Sequence, residues 1–220
     1  MTKPISRPGF NPACRDCPRL AKFLDAVRAE HPAYYARPVA AFGPRRAQLL
    51  VVGLAPGMHG ANRTGRPFTG DHAGILLYAT LHKFGFASRP SSKGRDDGLK
   101  LLGCRVTNAV KCLPPQNKPR RDELRRCNRF LTVEIATVGP RAVLALGGVA
   151  HRAVLMALGL APARWPFAHG AVHELSEGAA GIRLFDSYHC SRYNTQTKRL
   201  TVSAFEAVIG DVALFLRAPR

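Results

Sequence analysis

The sequence predicts a three-layer α/β fold, in which a mainly parallel sheet lies between two layers of helices. Three observations lead to this prediction. Short apolar runs alternate with longer segments of helical periodicity, and the clearest run, residues 48–53 (QLLVVG), is apolar almost throughout. Continuously apolar strands joined by helices are typical of a parallel sheet that is covered on both faces. In addition, polar segments begin where predicted strands end.

Five runs are strand candidates, four of them strong. The strong candidates are residues 48–53, 103–108, 142–146 and 182–188, and residues 172–175 are a weaker one. Helical spacing of apolar residues predicts helices over residues 20–30, 72–84, 120–138, 148–158 and 202–217. We find no internal repeat and no second set of elements, so we expect residues 1–220 to form a single domain.

The charge of the chain indicates a polyanionic partner. Lys and Arg number 33 against 14 Asp and Glu, which gives a formal net charge of +19. Such a surface attracts nucleic acid or an acidic membrane and excludes a dedicated binder of cations. No basic helix carries a large apolar face, as membrane-surface binding would need. His151 and Arg152 interrupt the most apolar region, and residues 1–12 lack the apolar core of a secretory signal. We therefore expect a cytoplasmic protein without a membrane partner.

Three polar segments are expected to form one site. Residues 54–71, 108–119 and 189–199 each begin where a predicted strand ends. In open parallel sheets, ligands bind in the crevice beyond the carboxyl ends of the strands. The sequence therefore predicts that these three segments meet there.

Four cysteines are candidate metal ligands. Cys14 and Cys17 form a C-x-x-C pair in a Pro-rich segment, and Cys112 and Cys127 complete a possible four-thiolate site. Residue composition leaves zinc, an iron–sulfur cluster and ordinary buried thiols open, because all three suit cysteine. We expect Cys104 and Cys190 to be packing residues. On the helix of Cys127, the residues Arg121, Arg125 and Arg129 form a separate basic stripe.

Residues 53–71 (GLAPGMHGANRTGRPFTGD), 107–119 (TNAVKCLPPQNKP) and 189–201 (HCSRYNTQTKRLT) resemble the three motifs of the uracil-DNA glycosylase superfamily. The resemblance is closest to the type B, or family 5, iron–sulfur enzymes. It implies a central four-stranded parallel sheet and a [4Fe–4S] cluster on Cys14, Cys17, Cys112 and Cys127. It also implies a DNA repair activity that hydrolyses the N-glycosidic bond of flipped-out uracil and leaves an abasic site. Hypoxanthine and other deaminated bases are further substrates that the resemblance implies.

The resemblance assigns candidate roles around the base. Phe68 matches the aromatic that stacks on the flipped base, and Asn108 matches the amide that binds its edge. His189 matches the histidine that donates toward uracil O2 as negative charge grows. Gly53, Ala55 and His59 are further substrate-binding candidates in the first motif.

The group that handles the attacking water is less evident. Related families carry Asp, Asn or Glu at the position of Leu54, and leucine cannot activate water. We expect Asp71 to orient the water or to stabilise the sugar cation. An equally weighted alternative is that Asp71 only caps the helix that follows. Asn62 is a further catalytic candidate.

The last motif is expected to contact DNA. Cys190 replaces the proline of the commoner form of this motif. The candidates for entering the minor groove are Ser191, Arg192, Tyr193 and Asn194, with Arg63 as a further DNA contact. We expect the enzyme to be monomeric. The alternative is a non-catalytic nucleic-acid-binding protein with a structural zinc on the four cysteines, which leaves residues 53–71 unexplained. A redox protein would be expected to show cysteine runs such as C-x2-C-x2-C, and these are absent.

Overall fold

A computed structural model describes residues 9–175 and 181–218. The strands are β1 Leu49–Gly53, β2 Cys104–Asn108, β3 Ala142–Leu146, β4 Val172–Leu175 and β5 Ile182–Ser187. These five strands form one sheet, in the order β2-β1-β3-β5-β4. The helices are α1 Pro18–Glu30, α2 Ala61–Thr64, α3 His72–Lys83, α4 Arg121–Val138, α5 Gly148–Ala157, α6 Arg192–Gln196 and α7 Val202–Arg217.

The predicted three-layer arrangement is confirmed by the side chains of β1, all of which are buried. Leu49 and Val51 belong to the core beneath α3 and α7. Leu50 and Val52 belong to the core beneath α4 and α5. Because successive side chains of a strand point to opposite faces, both faces of the sheet are covered.

The four strong strand candidates form the predicted parallel strands, and the weaker candidate adds a fifth strand to the sheet. β4 is a fifth strand, which pairs antiparallel with β5 at the edge of the sheet. Its outer residue Val172 is 45% exposed. A short strand at an edge needs burial on one side only, which is why its sequence gave a weak signal. Residues 176–180, between β4 and β5, lie outside the described residues.

The five predicted helices are confirmed within about two residues at each end, a normal uncertainty for helix boundaries. The short helices α2 and α6 were not predicted, because four or five residues cannot establish a helical period. No helix in the described residues is both long and apolar enough to span a membrane.

The order of the strands brings the three polar segments together. β1 is flanked by β2 on one side and β3 on the other, and all three run parallel. After β1 the chain continues to β2 on one side of β1, and later to β3 on the other side. This change of direction opens a crevice at the carboxyl end of β1. The segments after β1, β2 and β5 all meet at this edge.

A buried ion pair holds the segment after β1 in place. The Arg66 guanidinium donates to Asp97 Oδ2 at 2.5 Å and to Ser92 Oγ at 2.6 Å. Burial alone would raise the pKa of Asp97, but Arg66 and the backbone N–H groups of Leu99, Lys93 and Gly94 outweigh burial and hold that pKa well below its usual range. The carboxylate thus fixes Arg66 to the neighbouring loop.

We expect Asp97→Ala to destabilise the fold by about 3 kcal/mol, because it leaves the buried Arg66 cation without its counter-ion. Urea unfolding followed by circular dichroism measures this loss. The matched control is Asp96→Ala, which removes a neighbouring exposed carboxylate and should leave the midpoint unchanged. Equal midpoints for the two variants would contradict the role of the ion pair.

Candidate active site

An open cavity of about 400 Å³ lies at the carboxyl ends of the parallel strands. Its walls come from the three segments that follow β1, β2 and β5, as the sequence predicts. The predicted site residues on its walls are Ala55, Phe68, Asp71, Asn108, His189, Ser191 and Arg192.

Gly53 lets the side chains of Phe68 and Asn108 approach the backbone of β1 closely. A Cβ atom on Gly53 would lie 2.4 Å from Cζ of Phe68 and 2.5 Å from Oδ1 of Asn108. The ring of Phe68 is 5% exposed, and it stacks on His189 with 5.8 Å between ring centroids. Phe68 has a φ of +53°, a conformation that non-glycine residues rarely adopt. Tyr78 supports this turn by donating to the carbonyl of Pro67 at 2.7 Å.

Asn108 presents an unused hydrogen-bond acceptor. The residue is the last of β2 and is 3% exposed. Its Oδ1 atom is buried and has no hydrogen-bond partner among the described residues. Because an unpaired buried oxygen costs free energy, this atom is suited to a ligand that brings a donor into the cavity.

Asp71 caps α3 and also lines the cavity. Its Oδ1 accepts a hydrogen bond from the backbone N–H of Gly74 at 2.9 Å, so it caps α3. Its carboxylate also lines the cavity and packs so closely on Gly60 that a Cβ atom there would lie 2.4 Å from Oδ2. Burial raises the pKa of Asp71.

His189 lies at the cavity wall as a neutral imidazole. Burial lowers its pKa to about 4, so the ring carries no charge at neutral pH. It can therefore offer a hydrogen bond to a ligand without bringing in a cation.

Besides Gly53, which lies behind Phe68 and Asn108, three first-motif candidates are not on the cavity wall. His59 is exposed, and its Nδ1 atom lies 2.8 Å from the hydroxyl of Tyr34. Arg63 is also exposed and donates to the carbonyl of His59 at 2.7 Å. Asn62 is fully buried behind the wall, and neither side-chain polar atom has a partner among the described residues.

The third segment forms α6 at the rim of the cavity. Ser191 caps this helix by accepting from the backbone N–H of Asn194 at 3.4 Å. The side chain of Asn194 donates to the carbonyl of His189 at 2.8 Å, so it fixes the segment internally. Arg192 lines the cavity, whereas Tyr193 is 70% exposed.

The sequence analysis missed two polar residues of the cavity. Asn117 ends the 3₁₀ turn Pro115–Asn117 and reaches the wall because both it and Gln116 have positive φ. The signal was present, since asparagine tolerates this conformation and prolines flank the turn. His72 also lines the cavity, and its Nε2 atom lies 3.0 Å from Oγ1 of Thr195 in α6.

The four candidate ligand cysteines line a second, small cavity. Cys127 is buried, and the other three are partly buried around Leu20 and Phe130. The backbone N–H of Lys111 donates to Sγ of Cys127 at 3.2 Å. Cys104 and Cys190 are buried in the main core, as predicted.

The four sulfur atoms line one cavity without being gathered around a single point. Among the described residues, the one group of three or more possible ligand atoms within 4.8 Å of one another contains no cysteine. Four cysteines around one cavity are a ligand set that both zinc and iron–sulfur clusters use.

Comparison with known proteins agrees with this geometry. Residues 40–213 match the Uracil DNA glycosylase superfamily. The chain is 47% identical to a Type-5 uracil-DNA glycosylase of Thermus thermophilus, over 90% of this chain and 91% of that protein. It is 44% identical to a protein of the same name from Pyrobaculum aerophilum, over 91% and 88% of the two chains. A third relative of that name, from Mycobacterium leprae, is 42% identical over 90% and 89%. The chain belongs to the uracil-DNA glycosylase superfamily.

Proposed function

We propose that this protein excises uracil from DNA by hydrolysing the N-glycosidic bond, which leaves an abasic site. The unpartnered Oδ1 atom of Asn108, buried beside the ring of Phe68 in an open cavity, carries this proposal. The names of the relatives support the same substrate.

The cavity walls suit a flipped uracil base. The ring of Phe68 offers a flat apolar surface on which a base can stack. The amide of Asn108 accepts from N3–H through Oδ1 and donates to O4 through its NH₂ group. The Oδ1 atom thereby gains the partner that it lacks in the free protein.

The N-glycosidic bond breaks with positive charge on the sugar and negative charge on the base. Donors that are already aimed at the developing negative charge lower the barrier most. His189 is proposed to donate an N–H to uracil O2. Because its imidazole is neutral, the ring can strengthen this hydrogen bond as charge grows without itself needing to gain a proton.

Asp71 is proposed to orient the attacking water or to stabilise the sugar cation. Leu54 also lines the cavity but has no polar side-chain group, whereas the Asp71 carboxylate can accept a hydrogen bond from water there. The amide of Asn117 offers a second polar contact in the same cavity. Capping of α3 fixes the position of the Asp71 carboxylate, so the two roles support each other.

The rim residues are proposed to bind the DNA. Tyr193 projects from α6 into solvent and can fill the space that a flipped base leaves, while Arg192 can pair with phosphate. Ser191, Asn194 and Arg63 shape the surface around it. The net charge of +19 supports an electrostatic contribution to this binding. We extend the proposed substrates to hypoxanthine and other deaminated bases.

Cys14, Cys17, Cys112 and Cys127 are proposed to hold a [4Fe–4S] cluster. When bound, the cluster supplies a cross-link between the N-terminal segment and the loop that follows β2. Hydrolysis is redox-neutral, so the reaction itself needs no electron from the cluster. The convergence of the four cysteines on one small cavity supports this proposal.

We expect single-turnover excision of uracil from labelled duplex and single-stranded oligonucleotides, with strand cleavage only after alkali treatment. Oligonucleotides with hypoxanthine test the wider range, and thymine is the negative control. If iron-replete protein binds these DNAs but leaves uracil intact, the protein is a binding module and the proposal fails.

Gly53→Ala should slow this excision by about 100-fold or more, because the added Cβ displaces both Phe68 and Asn108. Gly94→Ala is the matched control, since its Cβ would meet nothing within 4 Å. Thermal unfolding of both variants separates a local effect from loss of the fold. Wild-type rates for a folded Gly53→Ala variant would contradict the assignment of the base site.

The side chain of His189 should titrate with a pKa of about 4, which histidine-labelled NMR can measure. His189→Gln identifies its resonance. Because the folded-state pKa lies below the unfolded value of 6.5, the unfolded chain takes up a proton first as the pH falls. The stability that depends on the neutral form of His189 is therefore fully present above pH 6.5 and is lost as the pH falls toward 4. A midpoint near 6.5 would contradict a neutral, buried imidazole.

Metal analysis should find iron and sulfide in a 1:1 ratio, with the iron lost in Cys112→Ser. Cys104→Ser is the control, because Cys104 lies in the main core and should not affect iron content. Zinc in place of iron would contradict the proposed cluster. Loss of the cluster should weaken DNA binding or stability before it alters excision by the protein that remains folded.

A further inference from the structure

Two histidines and one aspartate form a buried His–Asp–His group outside the cavity. It lies next to the polar segment that follows β5. Asp186 is in β5, where it pairs with Ala145 of β3, and its side chain is fully buried. Oδ1 of Asp186 lies 2.9 Å from Nδ1 of His151 in α5. Oδ2 lies 3.1 Å from Nε2 of His173 in β4. The three side chains join one helix and two strands.

Two contacts hold the ring of His151 at both nitrogens. Its Nδ1 lies 2.9 Å from Oδ1 of Asp186, and its Nε2 lies 2.8 Å from the carbonyl oxygen of Trp165. Because a hydrogen bond at each ring nitrogen fixes the orientation of an imidazole, His151 is held between β5 and the segment that contains Trp165.

The contact between His151 and Asp186 adjoins the segment of chain that leads to His189. The backbone N–H of His151 donates to the carbonyl of Gly147 at 3.1 Å, and the N–H of Gly147 donates to the carbonyl of Ser187 at 2.8 Å. A Cβ atom on Gly147 would lie 3.6 Å from Cβ of His189. The start of α5 is thus the surface against which His189 rests, and Asp186 precedes His189 by three residues.

We propose that His151, Asp186 and His173 are positioning residues, which hold β5 and α5 together so that His189 faces the base. This inference rests on the proposed excision of uracil. Displacement of a catalytic group by about 1 Å can cost about 100-fold in rate. The His–Asp–His group acts on the reaction only through His189, since none of its three members lines the cavity.

The first test reads the hydrogen bonds of His151 in the wild-type protein directly. In ¹H–¹⁵N spectra of histidine-labelled protein, the ring N–H signals of His151 should exchange slowly with water, and His151→Asn should remove these signals. Rapid exchange of the ring protons would overturn the proposal, because the ring would then not be held between Asp186 and Trp165. So would stoichiometric zinc in wild-type protein that is lost in His173→Ala, because a metal ion would then replace the shared proton.

The second test separates positioning from stability. His151→Ala and Asp186→Asn should each lower single-turnover excision of uracil by about 10- to 100-fold. The Kd for a duplex with a tetrahydrofuran abasic-site analogue should change by less than about threefold, since the DNA-contacting rim is untouched. His151→Asn should recover part of the rate, because its amide can still donate to Asp186 from near the position of Nδ1.

Glu174→Gln is the matched control. It breaks an exposed contact with Arg183 between the same two strands and should leave excision unchanged. Wild-type rates in folded His151→Ala would overturn the positioning role and leave the proposed function intact. An equal loss of rate and of DNA affinity would also overturn it, because that result indicates general loss of structure. Absence of excision by the wild-type protein would instead overturn the proposed function and this inference together.

Discussion

The bare backbone of Gly53 is the constraint on which the cavity depends. Phe68 and Asn108 both pack where a side chain on Gly53 would otherwise lie. This close approach brings the first and second site segments together at the end of β1. The third segment completes the wall when His189 stacks on Phe68. One missing Cβ atom therefore allows a ring, an amide and an imidazole to face the same space.

Buried polar contacts anchor each of the three segments. Arg66, in the segment that follows β1, pairs with Asp97 of a neighbouring loop. Lys111, in the segment that follows β2, pairs with Glu134 of α4. The third contact joins His151 to Asp186, three residues before His189. A buried ion pair adds little net stability, but breaking one is costly, so the first two strongly disfavour displacement of their segments.

The sequence predicted the parts of the molecule that repeat a period or match a long motif. The four parallel strands and five long helices follow from apolar spacing, and the cavity follows from where the strands end. Side-chain direction was harder to predict. His59 lies in the first motif but contacts Tyr34 at the surface, because neighbouring residues of a loop need not share a direction. Asn117 was missed for the converse reason, since its positive φ turns it into the cavity.

The buried ion pairs help to explain how residues with positive φ are maintained in the site segments. Each site segment contains a non-glycine residue with positive φ, namely Phe68, Asn117 and Lys198. Such a conformation costs of order 1–3 kcal/mol and persists only where the surrounding structure enforces it. A single apolar contact cannot supply that enforcement, because apolar contacts tolerate small shifts. A buried charge does not tolerate them, since a shift of its partner leaves it unpaired in a medium of low dielectric. Arg66 and Lys111 therefore anchor the segments in which Phe68 and Asn117 line the cavity, whereas Lys198 is exposed and lies away from its wall.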